Sequence, residues 1–281
     1  MTSRTLCTVE AALASGVQAG PVLGIDTGGP RAHLALVVGG RVLAEASHSV
    51  ASHGAELPEA VAGLLGRAGL AACELKAIAI GIGPGSFTGL RVGLSYSKGL
   101  KLATGCTLLG IPSLDTLALT ALAEVSATAA PRLICPVLDA RKGEVYAALY
   151  RTSGDGLEKL SDDLVVTLEN LALHLGSDVL LVGDAKAEEA CRSVVRAGGQ
   201  ARCLEITGLR LRGRVVAALG AARLVAGEAD NAFVLEPLYV RSAEAIFKAG
   251  PLTSGVRVNG AEGRRTHSSV RDQRRRTEDA V

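Results

Sequence analysis

The chain has 281 residues, 48% of them hydrophobic and only 2% aromatic, and a formal net charge of +2. This length can form one large domain or two of ordinary size. The shortage of aromatic side chains argues against a protein that stacks single-stranded bases on rings. No apolar run reaches the ~18 residues that a membrane span needs. Thr8 and Glu10 interrupt the apolar start of the chain, which makes it weak as a secretory signal. We therefore expect a cytoplasmic protein.

Charge and metal-ligating residues exclude further classes of protein. From Pro251 onward, seven arginines stand against four acidic residues, so this part carries a net charge of +3 and the rest of the chain about −1. A nearly neutral body binds nucleic acid poorly by itself, because phosphate neutralisation dominates such binding. The six cysteines include no CxxC pair and the histidines no HxxxH pair, so we expect reduced core thiols and no metal site. No nucleophile motif such as Gly-x-Ser-x-Gly occurs, and we assign no catalytic residue.

The predicted elements fall into two similar series. The first series has strands at 21–26, 31–38 and 41–46, a helix at 52–70, a strand at 75–82, a helix at 88–103 and a strand at 107–111. The second series has strands at 133–139 and 144–150, a helix at 168–175, a strand at 179–183 and a helix at 185–197. A further helix at 210–225 and an extended segment at 235–241 follow. Each series opens on a strand that ends in an aspartate, Asp26 or Asp139.

This order predicts two copies of a βββαβα unit. We therefore expect the duplicated ribonuclease-H-like α/β fold of the actin, Hsp70 and hexokinase superfamily, with two lobes that each hold a mixed sheet flanked by helices. The expected divisions are a loose extension over 1–20, a first lobe over 21–110 together with 208–242, a second lobe over 111–207, and a disordered Arg-rich tail over 243–281.

The stretch from Ile78 to Gly93 is the most distinctive part of the sequence. A buried strand ends in a Gly-Pro-Gly turn, Ser86 is a natural N-cap, and a helix follows. The phosphate-binding pattern GxxxxGK[ST] is absent, so the turn is more simply a strand-to-helix connection. Arg91 is expected to tie this turn to neighbouring backbone.

Small residues recur at every fourth position of that helix, at Gly89, Gly93 and Ser97. A glycine inside a helix costs roughly 0.5–1 kcal/mol relative to alanine, unless something must approach closely. We therefore predict a partner interface at Gly89, Gly93, Tyr96 and Ser97. The spacing alone leaves open that this face packs on the protein's own sheet.

Asp26, Thr27 and Asp139 occupy positions where this superfamily places its nucleotide loops. The run after Asp139 puts Arg141 and Lys142 where backbone should wrap phosphate, so we interpret these loops as remnants. The alternatives are strand-end carboxylates that cap backbone N–H groups, and a nucleotide-binding ATPase or phosphotransferase.

Several motifs in a fixed order resemble one known family. The run GPGSFTGLRVG at 83–93, with KGL at 98–100, is similar to the signature of the bacterial TsaB (YeaZ) family. The match continues with IDT at 25–27, LP at 57–58, GIPSLD at 110–115, LDARKGEVY at 138–146 and PLYVR at 237–241. The resemblance spans 22–241. The first twenty residues, the Arg-rich tail and the run from Gly28 to Arg31 depart from the family pattern.

The resemblance implies a scaffold subunit in the synthesis of threonylcarbamoyladenosine next to the anticodon of ANN-decoding tRNAs. Such a subunit is not an enzyme by itself. It pairs with the catalytic subunit TsaD, and the ATPase TsaE joins them. The chain would contact tRNA only as part of this complex. The chain itself would need no cofactor, although ATP or ADP could sit at a subunit interface. A homodimeric structural protein is a further alternative.

Overall fold

The computed structural model describes residues 4–49, 53–125, 131–154, 156–175, 178–205 and 212–240. The tail predicted over 243–281 lies outside these residues, and so do parts of the predicted boundary at 207–208. Within the described ranges, no helix combines the length and apolar character needed to cross a membrane.

The described residues form two sheets and seven helices. The first sheet contains strands β2 Val22–Asp26, β3 Arg31–Val38, β4 Arg41–Ser49, β5 Ala77–Gly83 and β6 Thr107–Pro112. The second contains β1 Arg4–Cys7, β7 Leu133–Arg141, β8 Glu144–Ala147, β9 Tyr150–Ser153, β10 Gly156–Lys159, β11 Leu164–Thr167, β12 Val179–Gly183 and β13 Ala201–Glu205. The helices are α1 Val9–Ser15, α2 His53–Arg67, α3 Phe87–Thr104, α4 Ser113–Glu124, α5 Leu168–His174, α6 Ala185–Arg196 and α7 Arg212–Val225.

The two sheets repeat one topology. In the first, the order is β4-β3-β2-β5-β6, with β2 antiparallel to β3 and parallel to β5. In the second, β11-β8-β7-β12-β13 has the same order and the same parallel and antiparallel relations around β7. The predicted duplicated ribonuclease-H-like architecture is confirmed. Asp26 ends β2, and Asp139 lies near the end of β7, so equivalent strands bring both acids to the same edge of their sheets.

Helices cover both faces of the first sheet. Strands β2 and β5 are buried along their whole length, as expected for central strands that carry helices on both sides. Alternate side chains point to opposite faces. Those on one face, such as Leu34 and Ile78, pack under α2 and α3, while Ala35 and Ala79 lie on the face covered by α7. The exposed sides of α2 and α3 therefore form one surface of the lobe, opposite α7.

Helix α7 packs very closely on the first sheet. A Cβ placed on Gly24 would lie 2.6 Å from the backbone nitrogen of Ala217, so glycine is required where the helix crosses β2. Helix α7 also packs against α1 and α4. The cluster of apolar side chains between the lobes thus includes residues of α1, α4, α7 and the second sheet.

The amino-terminal segment differs from the expectation of a loose extension. Strand β1 pairs antiparallel with β10, and Leu6 and Val9 are each only 5% exposed in the cluster between the lobes. Thr8 caps α1 by accepting the backbone N–H of Ala11 at 3.2 Å. The prediction is wrong for residues 4–18, because a four-residue strand and a two-turn helix are too short to show periodicity by themselves.

Other elements were missed for a similar reason. Helix α4 is buried along most of its length, so its apolar residues show no polar face and no helical period. The strand predicted over 144–150 is broken at Ala148 and Leu149, where the chain leaves β8 and pairs with β10 as β9. Strands β10, β11 and β13 were not predicted.

Leu6→Ala tests whether the amino-terminal segment is part of the core. We expect the free energy of unfolding to fall by about 2–3 kcal/mol, because a buried leucine is lost from a packed cluster. Val17→Ala is the matched control, since Val17 is 55% exposed and its loss should cost no more than about 0.5 kcal/mol. Urea unfolding of both variants measures the difference. Equal effects would mean that residues 4–18 are loose.

Candidate functional site: the cleft between the lobes

The aspartate-bearing edges of the two sheets face each other across a cleft of about 660 Å³. One wall is made by the loop after β2 and by the turn that begins α3. The other wall is made by the end of β7, by Tyr146 and by Asp184. This is where the sequence placed its remnant nucleotide loops, and the structure brings Asp139 and the loop after Asp26 together in one cleft.

Both carboxylate oxygens of Asp26 contact groups of its own chain. Its carboxylate oxygen Oδ1 accepts the backbone N–H of Gly28 at 2.9 Å, and Oδ2 lies 2.6 Å from Nη2 of Arg212 in the first turn of α7. Both side chains are almost completely buried, at 1% and 2% exposure. A Cβ on Gly29 would overlap Nη1 of Arg212, so a larger residue here would displace the guanidinium from Asp26. The ion pair thus fixes the position of the loop after β2.

The pKa of a neighbouring histidine, His33, is changed by burial and by the charges of this pair. His33 is paired with Asp26 in the register of β2 and β3. Burial, reinforced by the positive charge of Arg212, lowers the pKa of His33 from 6.5 to about 4. His33 is therefore neutral at physiological pH, and Arg212 is the cation that balances Asp26.

The loop after β2 is held to the turn after β5 by backbone contacts. The N–H of Ser86 donates to the carbonyl oxygen of Gly28 at 2.8 Å. A Cβ on Gly85 would lie 2.5 Å from the same oxygen, so only glycine allows this approach. Ser86 caps α3 by accepting the N–H of Gly89 at 3.3 Å, as its sequence position predicted.

The small-residue face of α3 lies against this loop and is closed to a partner. A Cβ on Gly89 would overlap the carbonyl oxygen of Thr27, and one on Gly93 would overlap its hydroxyl oxygen. Ser97 and Thr27 are fully buried. The predicted partner interface is therefore wrong for Gly89, Gly93 and Ser97, because the protein's own β2 loop fills the space that these residues provide. Tyr96 is half-buried at the edge of this face, and its partner role stays a prediction.

The opposite wall is a short hairpin that carries charge. Its loop, Lys142 and Gly143, has positive φ angles of 53° and 81°, as a tight hairpin turn requires. The Asp139 carboxylate accepts the N–H of Arg141 at 2.8 Å and lies 3.3 Å from its guanidinium. The Arg141 side chain is 86% exposed. Asp139 is thus bound to its own turn, as the capping interpretation of strand-end acids predicted.

Two aromatic side chains and one arginine, Phe87, Tyr239 and Arg91, form an exposed group at the edge of the cleft. The Arg91 guanidinium lies 3.9 Å from the centre of the Phe87 ring, and its Nη2 donates to the hydroxyl of Tyr239 at 3.2 Å. The rings of Phe87 and Tyr239 are 6.2 Å apart. Arg91 was expected to hold backbone of the turn. It holds the side chain of Tyr239 and so fastens residues 230–240 to the start of α3.

A second buried ionic cluster lies outside the cleft. The hydroxyl of Tyr150 donates to Asp115 at 2.7 Å, and Lys159 donates to Asp115 and Asp163 at 2.8 and 2.6 Å. Burial, with the negative charge of Asp115, raises the pKa of Tyr150 well above its usual value. The two carboxylates outweigh the effect of burial on Lys159 and raise its pKa. The cluster joins α4 to β9 and β10, and we assign it a structural role.

Arg212, Phe87 and Tyr239 were not identified as site residues from the sequence. Arg212 is the middle one of three alternating arginines, Arg210, Arg212 and Arg214, and nothing in the sequence shows which of them is buried. Its partner could not be named, because Asp26 lies far away in the chain. The sequence pointed to Phe87 and Tyr239 only because they lie in the motifs at 83–93 and 237–241.

The comparisons find proteins named for threonylcarbamoyl modification of tRNA, TsaD in one case and TsaB in others. A family model described as "TsaD: tRNA N6-adenosine threonylcarbamoyltransferase" matches residues 41–202, more than half of the chain. The tRNA threonylcarbamoyladenosine biosynthesis protein TsaB of Bacillus subtilis is 32% identical over 148 residues, and that of Escherichia coli is 33% identical over 136 residues. These matches cover 52% and 48% of this chain, and 62% and 57% of those relatives.

A solved structure shows the same fold. YeaZ from Pseudomonas aeruginosa superposes with a TM-score of 0.67 at 26% sequence identity, over 79% of this chain and all of that one. The chain thus spans about three fifths of the length of the two curated relatives in sequence, but the whole length of this structural relative.

Arg212→Leu tests the buried ion pair. We expect a loss of about 3–5 kcal/mol in the free energy of unfolding, because Asp26 would be left buried without its cation. Arg214→Leu is the matched control two residues away. Its pair with Glu45 is about one third exposed and should contribute no more than about 1 kcal/mol. Adding Asp26→Leu to Arg212→Leu should recover most of the lost stability, and failure to recover it would contradict the pair as the cause.

His33→Gln tests the effect of the same charges on pH dependence. A histidine with a depressed pKa stabilises the folded state above pH 6.5, and this contribution is lost as the pH falls toward 4. The loss for wild type, relative to His33→Gln, should reach up to about 3 kcal/mol at pH 4. Urea titrations of both proteins from pH 7 to pH 4 measure this difference. Parallel curves would contradict a neutral, partly buried His33.

Proposed function

The chain belongs to the TsaB (YeaZ) family, and on this premise we propose that it acts in the cytoplasm in the biosynthesis of threonylcarbamoyladenosine in tRNA. Its role in this proposal is that of the scaffold subunit that binds and supports the catalytic subunit TsaD. The observation that carries the proposal is the exposed surface of α2 and α3, whose glycines have no use inside the protein.

Five glycines of these two helices, those whose surroundings the structure describes, fall into two groups. Gly89 and Gly93 are explained by their contact with Thr27. Gly66 and Gly99 have no atom within 4 Å of an added Cβ, and Gly63 meets only the flexible end of Arg67. Each exposed glycine costs roughly 0.5–1 kcal/mol of helix stability without any gain in the isolated chain. Close approach by another backbone from outside would explain why they are there.

The exposed stripe of α3 has the composition of a protein interface. It runs through Phe87, Arg91, Ser95, Gly99 and Leu102, at spacings of three or four residues. Phe87 is 55% exposed and Leu102 70% exposed. Small residues in the middle let two helices approach, while Phe87, Arg91 and Leu102 supply contacts at the ends. We therefore propose a partner interface on this side of α3, opposite to the side that the sequence indicated.

We propose no chemical step for this chain. Asp26 would have to leave Arg212 to bind a metal ion or polarise a water, and Arg212 would then be buried without a partner. In the proposed complex, TsaD catalyses the transfer and TsaE joins as an ATPase. This chain contacts tRNA only as part of the complex. ATP or ADP at a subunit interface is compatible with this role.

Gly99→Arg and Gly66→Arg test the proposed interface. Co-expression with TsaD from the same organism should give a complex with wild type and at least about tenfold weaker binding with either variant, since a bulky charge would enter a close helix contact. The isolated variants should be about 0.5–1 kcal/mol more stable than wild type, because arginine favours a helix over glycine. Gain of stability with loss of binding separates an interface effect from misfolding.

Val195→Arg on the exposed side of α6 is the matched control, and it should leave binding to TsaD unchanged. Wild type that fails to bind TsaD would contradict the scaffold role. Binding unaffected by Gly99→Arg and Gly66→Arg would contradict the assigned surface. Self-association that is lost in the same variants, without any TsaD binding, would instead support the homodimer.

A further inference from the structure

The amino-terminal segment, residues 4–18, contacts both lobes. Strand β1 pairs with β10 over four residues and forms an edge of the second sheet. Helix α1 follows, and the chain then enters β2, the central strand of the first sheet. Because the chain enters β2 at Val22 and the cleft begins after Asp26, α1 lies at the end of this strand that is away from the cleft.

The contact with the second lobe is made by backbone and by apolar side chains. A Cβ on Gly156 would overlap the carbonyl oxygen of Leu6, so β1 can lie this close only because β10 begins with a glycine. Leu6 and Val9 are each 5% exposed and belong to the apolar cluster that includes Leu117 of α4 and Tyr150 of β9. Displacement of β1 from β10 would bring these two side chains into water, which is unfavourable.

The contact with the first lobe is equally close. A Cβ on Gly16 would lie 2.7 Å from the Cβ of Ala221 in α7, and a Cβ on Gly40 would lie 2.6 Å from the carbonyl oxygen of Leu13. Gly40 belongs to the turn between β3 and β4, so α1 lies against both α7 and this hairpin. The Leu13 side chain packs with Ala217 of α7. Contacts this short leave no room for α1 to slide over the first lobe.

The two contacts together restrict the movement of one lobe against the other. The chain also passes from the first lobe to the second through α4, which packs against α7. A rotation about these helices that widened or narrowed the cleft would change the distance between β10 and the hairpin of β3 and β4. Only Thr8 separates β1 from α1, and it caps the helix, so the segment has no slack. Such a rotation therefore requires that β1 leaves β10 or that α1 leaves α7.

We propose that residues 4–18 act as a clamp that holds the two lobes in one relative orientation and keeps the cleft at a fixed width. The lobes rotate against each other only when the clamp is released from one of them. The clamp is a feature of this chain rather than of the family pattern, from which its first twenty residues depart. The proposal does not rest on the role toward TsaD, because it concerns the isolated chain.

The width of the cleft can be measured between Thr88 and Lys142. Thr88 lines the cleft, and Lys142 lies in the hairpin loop of the opposite wall. Both side chains are exposed, so spin labels on full-length Thr88→Cys/Lys142→Cys report the distance between the walls. The cysteines that are not buried are first replaced by alanine, namely Cys7, Cys73, Cys191 and Cys203. We expect one narrow distance distribution for this labelled reference.

Leu6→Asp/Val9→Asp, added to the labelled reference, releases the clamp from the second lobe, because two charges cannot remain in an apolar cluster. The distance distribution should become at least about twofold wider. Val17→Asp is the matched control in the same segment. Its side chain is 55% exposed, and the distribution should equal that of the reference. A distribution that stays narrow in the folded double variant would overturn the proposal.

Gly16→Leu releases the other end of the clamp without placing a charge in the core, and it decides the question if the double variant does not fold. The φ angle of −77° at Gly16 suits a leucine, but its side chain would push α1 away from Ala221. We expect the same widening of the distribution. Gly66→Leu, at a helical glycine with open surroundings, is the control and should match the reference. A distribution for Gly16→Leu as narrow as that of Gly66→Leu would contradict the clamp.

Discussion

The buried ion pair between Asp26 and Arg212 joins parts of the protein that are far apart in the sequence. It connects the end of β2 to the first turn of α7, and it sets the position of Gly28 and Gly29. Ser86 then bonds to Gly28, and Gly89 and Gly93 pack on Thr27, so the start of α3 is built on this loop. Such a pair adds little net stability over an apolar pair of the same size, but it permits only one arrangement of the loop.

This constraint has a consequence for function. A carboxylate that is held by a buried guanidinium and by a backbone N–H is poorly placed for phosphate or metal chemistry. The same loop also fills the small-residue face of α3 and turns that helix so that its other side meets the solvent. The protein thereby presents a two-helix surface on a rigid support. The proposed scaffold role requires such a surface more than it requires a reactive group.

The fold was predictable to a large extent because the central strands are continuous apolar runs bounded by glycine and acidic residues. The runs at 22–26, 77–83, 133–138 and 179–183 are buried on both faces, so their apolar character identifies them as strands without knowledge of a neighbouring strand. The elements that were missed depend on their surroundings. Helix α4 is buried on nearly all sides, and β1 exists only because β10 lies beside it.

The sequence by itself determined the duplicated order of strands and helices, the N-cap at Ser86 and the family, since each depends on local pattern or on motifs. Only the tertiary structure decided which glycines of α3 face inward. A fourfold spacing is the same for a face that packs on its own sheet and for one that meets a partner. Thr27 distinguishes them, because in the folded lobe it packs on Gly89 and Gly93, next to the Asp26 that pairs with Arg212.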